Sequence, residues 1–399
     1  MQHVKKKRYV FVAIVLASLL IASFSFYRFG FEQAKAQFSG VGSAMPKYNE
    51  INFPCSVIID TNTTHVFYGN CSTWKWQYIS TNASKVSQFA IENSTNGGVI
   101  HYKLGTYSIS NTIIVNQKYL VIEGEGWGTI LKLQGGKNVN VFNMTGTGKW
   151  HQTIRDLQID GNKAYQTTGG RGIYVSHTYQ TTDPNVLIEN VWVNNVYDDG
   201  IYVESGTGTR GTRLVNSLVS WAGDIAYRLG GTDNIVIGCV AENCGGHSFA
   251  VYGGGQYTAN KAFGAGYGTP TGKFGWYLYE LGGSTFVNCF ADECDGAGWV
   301  LWDTQNCTFS GCEANSNNGE GFRFDASASG LTSYNFLTSC ISLSQTGLAF
   351  TQTYGFRLKT NSAYNVLIGS RGIGSTAGIH DVGTSNYINL CWNVTTWVS

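Results

Sequence analysis

Charge and proline are what this 399-residue chain has least of. Asp, Glu, Lys and Arg make up 13% of it, the formal net charge is +1, and there are 4 prolines. No basic excess points to nucleic acid, and no acidic excess suggests a polycation as partner. The ten cysteines include no pair of C-x-x-C motifs and have no histidine cluster beside them, which argues against a zinc site. Gly124-Glu125-Gly126 reads as a turn rather than a phosphate loop, because no helix follows it. What is abundant is glycine, 51 residues, and aromatic residues, 14%. Disordered chains are poor in aromatics, and Gly, Asn, Thr and Tyr are weak helix formers. Many short strands joined by Gly/Asn turns fit this composition.

The first 36 residues stand apart. His3, Lys5, Lys6, Lys7 and Arg8 precede an uncharged apolar run from Tyr9 to Phe26, and Ala34-Lys35-Ala36 offers a small-x-small cleavage site. This pattern predicts a cleaved signal peptide, or an uncleaved membrane anchor, since the run is long enough to span. Either way the body is expected outside the cell, secreted or surface-bound. N-x-S/T sequons at Asn62, Asn70, Asn82, Asn93, Asn143, Asn306 and Asn393 agree with export and glycosylation. Cys55 and Cys71 flank a polar loop and are expected to pair in a disulfide. The expected organisation is a leader (1–36), an N-terminal segment (37–80) and one large domain (81–399).

Internal repetition is the strongest signal. Leu187–Val191, Leu214–Leu218, Val236–Val240, Phe286–Phe290, Phe309–Glu313 and Leu337–Ile341 align as short apolar stretches ended by a small or polar residue. Asn190, Ser217, Cys239, Cys289, Cys312 and Cys340 then form one column, with Asn260 filling the double gap. A second column runs through Ile201/Val203, Phe249/Val251, Trp299/Leu301 and Phe322/Phe324, whose alternation places them inward and the residues between them outward. A repeat of about 22–28 residues holding two or three short strands predicts an all-β solenoid of roughly ten to twelve coils. Ladder cysteines are expected to behave as small buried hydrophobes, although neighbours such as Cys289 and Cys312 would be near enough to bond.

The front of the repeat region adds a resemblance. Ser84–Glu92 reads as a short helix, followed by Gly97-Gly98-Val99-Ile100, Gly105-Thr106-Tyr107 and the Gly-Glu-Gly turn. This order resembles the first coils of the pectate-lyase superfamily of right-handed parallel β-helices, over roughly residues 80–390. The resemblance implies a single-stranded right-handed β-helix capped by a helix. It implies little about the reaction, since the superfamily includes lyases, hydrolases, tailspikes and surface proteins without known catalysis.

Outward positions of the second column supply the candidate surface. Tyr202, Arg228, Tyr277 and Arg323 face out, with Glu204, Tyr252, Tyr279 and Trp302 beside them, Trp302 one residue displaced. Aromatic faces stack on sugars, and Arg and carboxylates bind hydroxyls or uronates, so a polysaccharide is the expected partner. In the turns entering that face, Asp198 and Asp224 both lie three residues before the first inward residue, while Asp199 and His247 lie two before. Two close carboxylates can hold separated pKa values and act as acid and base. The cluster is similar to that of polygalacturonases, in which an Asp pair precedes the inward strand and a Gly-His follows. Here Gly170-Arg171-Gly172 lacks the expected Asp, the histidine arrives one coil late with Asp224 in its place, and no Arg-x-Lys follows.

The leading expectation is an extracellular enzyme that cleaves a polysaccharide, by hydrolysis, or by elimination if the substrate is a uronan, in which case calcium enters as a cofactor. Asp199 or Asp224 would be the acid, Asp198 the base, His247 a modulator and Arg228 a substrate anchor. The alternative is a surface protein that binds glycans without cutting them, with Asp-Gly and Asn-Gly serving only as turn residues. Oligomeric state is left open.

Overall fold

The computed structural model describes residues 57–394, apart from 63–64, 71–74, 96, 147–150, 177–184, 206–208, 269–271, 346–347 and 349. The proposed leader, and Cys55 and Cys71, lie outside the described residues. Among the described residues no helix is long and apolar enough to cross a membrane.

Each coil places one strand on a sheet of eleven parallel strands in unbroken chain order, from Ile113–Val115 to Ala377–Asp381. Most of the other strands form a 25-stranded sheet in two rows, and Thr332–Ser333 and Ser362–Ala363 pair as a separate two-stranded sheet. The rows join through two long strands, Thr153–Asp160 and Leu187–Asn194, which belong to both. Coil on coil, the ladder is parallel throughout. The start is different: Val57–Thr61, Val66–Asn70 and Lys75–Ser80 form an antiparallel meander, and Val57–Thr61 also pairs in parallel with Gly98–Tyr102. The segment before the helix is thus continuous with the first coil.

The helix α1 (Ala83–Asn93) closes the N-terminal end of the core. Its apolar face buries Ala83, Val86, Ala90 and Ile91 completely. Asn82 is its N-cap: the side-chain oxygen accepts from the Lys85 N–H, and the amide donates to Ser110 Oγ at 2.8 Å. That sequon side chain is therefore committed to the fold.

A corner of two residues, the first of them left-handed, separates the two rows of the large sheet. Asn190, Asn216, Gly238, Ala259, Asn288, Gly311, Ser339, Gly369 and Leu390 all sit there with φ of 47–65°. Asn and Gly tolerate this left-handed region best, which accounts for much of the Asn/Gly content. The inward column beside it corrects the sequence alignment at one end. Trp192 pairs with Leu218, so Val191 faces the core opposite Ser217, and Asn190 takes the turn. From Ser217 on the column is as expected, with Asn260 fully buried. Asn260 accepts from the Cys239 N–H at 2.8 Å and donates to the Val236 carbonyl at 2.9 Å, tying its coil to the one before.

Cys239, Cys244, Cys289, Cys294, Cys307, Cys312 and Cys340 are buried free thiols. Burial pushes the thiols of Cys239, Cys244 and Cys294 up to about 12, so they stay protonated and inert.

Inside, aromatic rings repeat from coil to coil. Tyr227, Phe249, Trp276, Trp299, Phe322 and Phe356 stack nearly parallel, with centroids 4.7, 4.1, 4.7, 5.6 and 4.7 Å apart in turn. Tyr257, Phe286 and Phe309 form a second stack, whose rings meet Trp276 and Trp299 edge to face. Trp276 has ring neighbours on four sides, and its indole N–H donates to the Phe290 carbonyl. Trp276→Ala is expected to cost about 3–5 kcal/mol in urea unfolding; a loss under about 1 kcal/mol would mean that the stack is not what fills the core.

Candidate functional site

The ladder brings the turns before the eleven-stranded sheet into register. Asp224 N–H donates to the Asp198 carbonyl at 3.3 Å, which places these two residues on adjacent coils as the spacing predicts. Gly200 N–H bonds to Ile225 and Ala226 N–H to His247, so His247 lies two coils from Asp199 in the same row. The turns are packed tightly enough to require glycine at two points. A Cβ on Gly223 would stand 1.9 Å from the Tyr197 carbonyl oxygen, and one on Gly246 2.4 Å from Asp224 Oδ1.

Asp198, Asp199 and Asp224 each place an oxygen within 4.8 Å of the others. Asp199 is wholly buried. Its Oδ2 accepts from Arg171 Nε at 3.2 Å and Arg228 Nε at 3.0 Å. Its Oδ1 accepts from Arg228 Nη2 at 3.1 Å and the Ile225 N–H at 3.3 Å. All four acceptor positions are thus occupied, leaving Asp199 no lone pair for a substrate. Arg171 also reaches Asp198 at 3.0 Å, and Arg228 reaches Asp224 at 3.2 Å. Tyr202 lies under both guanidinium groups, at 5.0 and 5.3 Å. Asp198 and Asp224 keep part of their surface in solvent, 25% and 45% of the side chain. Burial, with Asp199 adjacent, raises both carboxyls above the usual aspartate range.

A calcium ion, which an elimination reaction would bring, does not fit these residues. Calcium takes six to eight oxygen ligands. Here each of the three carboxylates is already paired with a guanidinium group, and Asp199 is saturated with N–H donors.

The other sequence candidates lie outside the aspartate cluster, and the rings of Phe274 and Tyr277 link several of them. His247 packs against both Phe274 and Tyr277, at 4.9 and 5.0 Å, and those two rings also meet each other at 5.7 Å. Its Nδ1 accepts from the Phe274 N–H at 2.9 Å, which puts the proton of the neutral ring on Nε2. Burial, helped by Lys273 and Arg228, lowers its pKa to about 3, so it is uncharged at neutral pH. Glu204 accepts from Ser176 Oγ at 2.5 Å and is tied to the coil before it. Tyr252, Tyr277 and Tyr279 form one aromatic group, with Tyr279 5.9 Å from Tyr252 and 5.8 Å from Tyr277. Trp302 pairs with Tyr279 and then Asp325, so it lies in the outward column and is not displaced. Arg323 is four coils from Arg228, about 19 Å at one strand spacing per coil, and belongs with Glu320, Asp325 and the ring of Phe274. Arg228, expected to be free for a substrate, is held by Asp199 and Asp224.

Arg171 and Tyr174 were not singled out from the sequence. Arg171 lies two residues before inward Ile173, in the row of Asp199 and His247. The register that located those two also contains the arginine.

The fold and site define a parallel β-helix bearing an arginine-braced carboxylate cluster on its outward strand face. The chain belongs to the right-handed β-helix family, whose profile, described as the right handed beta helix region, matches residues 172–391. Its structure is similar to the A-module of the Azotobacter vinelandii mannuronan C-5 epimerase AlgE4, at 16% identity and a TM-score of 0.55, over 79% of this chain and 94% of that one. It is also similar to the enzymatically active domain of tailspike protein 2 of bacteriophage CBA120, at 14% identity and a TM-score of 0.59, over 73% of this chain and 45% of that one. ORF18 of Geobacillus virus E2 matches at 16% identity and a TM-score of 0.53, over 73% of this chain and 67% of that one. At such identities the likeness shows the fold. No curated protein sequence matches the chain significantly.

Because Asp199 neutralises two partly buried arginines, Asp199→Asn is expected to destabilise the fold by about 2–4 kcal/mol, less than a fully buried pair because both guanidinium groups keep some solvent. Denaturant unfolding of the variant tests this, and an unchanged midpoint would contradict the bracing role.

Proposed function

We propose that this protein is an extracellular enzyme that cleaves a polysaccharide by acid/base hydrolysis at Asp198 and Asp224. One observation carries the reading: two solvent-reaching carboxyls with raised pKa stand side by side, braced from behind by a carboxylate that cannot itself reach a substrate. Asp224, the more exposed of the two, is the proton donor, and Asp198 is its partner. One oxygen of each lies within 4.8 Å of the other, near enough for the two carboxyls to serve one linkage as acid and base. Asp199 is a positioning residue that fixes Arg171 and Arg228, and through them the pair. His247 holds Tyr277 and Phe274 in place. The face beyond, with Tyr252, Tyr277, Tyr279 and Trp302, suits a sugar chain lying along the helix.

The names of two similar structures, both mannuronan C-5 epimerases, agree with a carbohydrate substrate. The exterior location rests on the basic-then-apolar N-terminal pattern.

The test incubates the purified protein with a panel of neutral glucans and uronans and follows reducing ends and the absorbance of unsaturated uronate. The expected result is new reducing ends without that absorbance, unaffected by chelator, and lost at least a hundredfold in Asp224→Asn with folding intact. Because the donor must be protonated, kcat/KM is expected to fall as pH rises through the raised Asp224 value, placing the optimum on the acid side of neutrality. Unsaturated uronate would replace hydrolysis with elimination. Binding without any cleavage would leave a glycan-binding surface protein.

A further inference from the structure

A cleft of about 740 Å³ opens at the far end of the same strand face. It crosses four successive coils, from Ser205 through Thr232 and Tyr252 to Glu280, about 14 Å along the axis at one strand spacing per coil. Tyr252 belongs to both places. It lines the cleft, and it follows by two residues Ala250, the strand partner of Arg228, a distance of about 7 Å along the strand. Burial raises its pKa, with Arg228 opposing and Asp199 and Asp224 adding to the rise.

The cleft is bare peptide with an acidic rim. Gly253 and Gly255 cannot carry side chains: a Cβ would stand 1.4 Å from the Gly231 oxygen in one case and 2.3 Å from the Asn234 oxygen in the other. Gly254, Gly282 and Gly283 extend the same floor. Its charged lining groups are Asp233 and Glu280, both on exposed turns, and among the described residues no Lys, Arg or His lines it. A tyrosine ring, exposed peptide groups and carboxylate acceptors suit hydroxyl-rich rings. The same two carboxylates repel a uronate, and among the described lining residues nothing positive offsets them.

We propose that this cleft is the binding site for the uncharged stretch of the substrate, so that the chain recognised is a neutral glycan and not a uronan. This rests on the polysaccharide reading above and goes further, to the charge of the sugar. It also gives Asp233 and Glu280 a role that the hydrolytic chemistry does not need.

Calorimetric titration of the purified protein with neutral oligosaccharides (cello-, xylo-, malto- and galacto-series) and with oligogalacturonate and oligomannuronate of equal length tests it. At least one neutral series is expected to bind, at least tenfold tighter than either uronate, and to lose tenfold or more in Tyr252→Ala. Asp233→Asn combined with Glu280→Gln and Gln256→Lys, which adds a cation from an exposed strand position, is expected to narrow the gap by drawing in the uronates. Uronates binding as well as neutral sugars, or neither class binding, would overturn the assignment. Neutral binding without cleavage of any polysaccharide would leave the cleft standing and remove the catalytic reading; cleavage without neutral binding would do the reverse.

Discussion

Everything in this molecule depends on the parallel hydrogen-bond ladder between successive coils. Each coil donates and accepts along its strands with the next, so a side chain's position across the surface is set by its offset within the repeat and its position along the axis by the coil number. The core follows the same rule. Rings stack on rings because the inward residue of one strand lies over the inward residue of the next, and Trp276 touches Trp299 for the same reason that Ile201 lies over Ile173. The site follows it too: Asp198 and Asp224 are 26 residues apart in sequence and one strand spacing apart in space.

That rule made much of the fold legible. Alternation fixed which residues face inward, and the repeat spacing allowed for Asn260 as the occupant of a coil with no cysteine. Legibility failed where the repeat changes its local geometry. At Asn190 the long strand Leu187–Asn194 runs through two rows of the sheet, so an alignment made on apolar stretches alone slipped by one residue. Trp302 shows no such irregularity: Val300 and Trp302 pair in register with Tyr277 and Tyr279, so counting two on from the outward residue holds there without displacement. Left-handed turns were visible only as Asn and Gly enrichment. Ala259 and Leu390 occupy the same turn without the expected residue type, because the ladder on both sides holds them there.

For the site, positions were legible in the sequence, but protonation and pairing were not. Counting from the first inward residue placed the three aspartates together. It did not say that Asp199 points into the protein while its neighbours point out, since adjacent residues in a turn follow no fixed alternation. Nor did it show that Arg228 is used up by carboxylates before a substrate arrives. The arginine that completes the brace, Arg171, stands where the resemblance to polygalacturonases called for an aspartate, and in that comparison it looked like an absence. In the structure it is a substitution of charge: a cation in that row holds Asp198 and Asp199 and takes the room a metal ion would need.

The central claim is that Asp198 and Asp224 form a pair whose protons are held more tightly than those of ordinary aspartates while Asp199 serves as their brace. Carbon-13 NMR titration of the aspartate carboxyls, with assignments from Asp198→Asn and Asp224→Asn, tests it most directly. The account predicts two resonances that titrate above the usual aspartate range, each moving when the other residue is neutralised. Two carboxyls that titrate at or below that range, independently of one another, would contradict it.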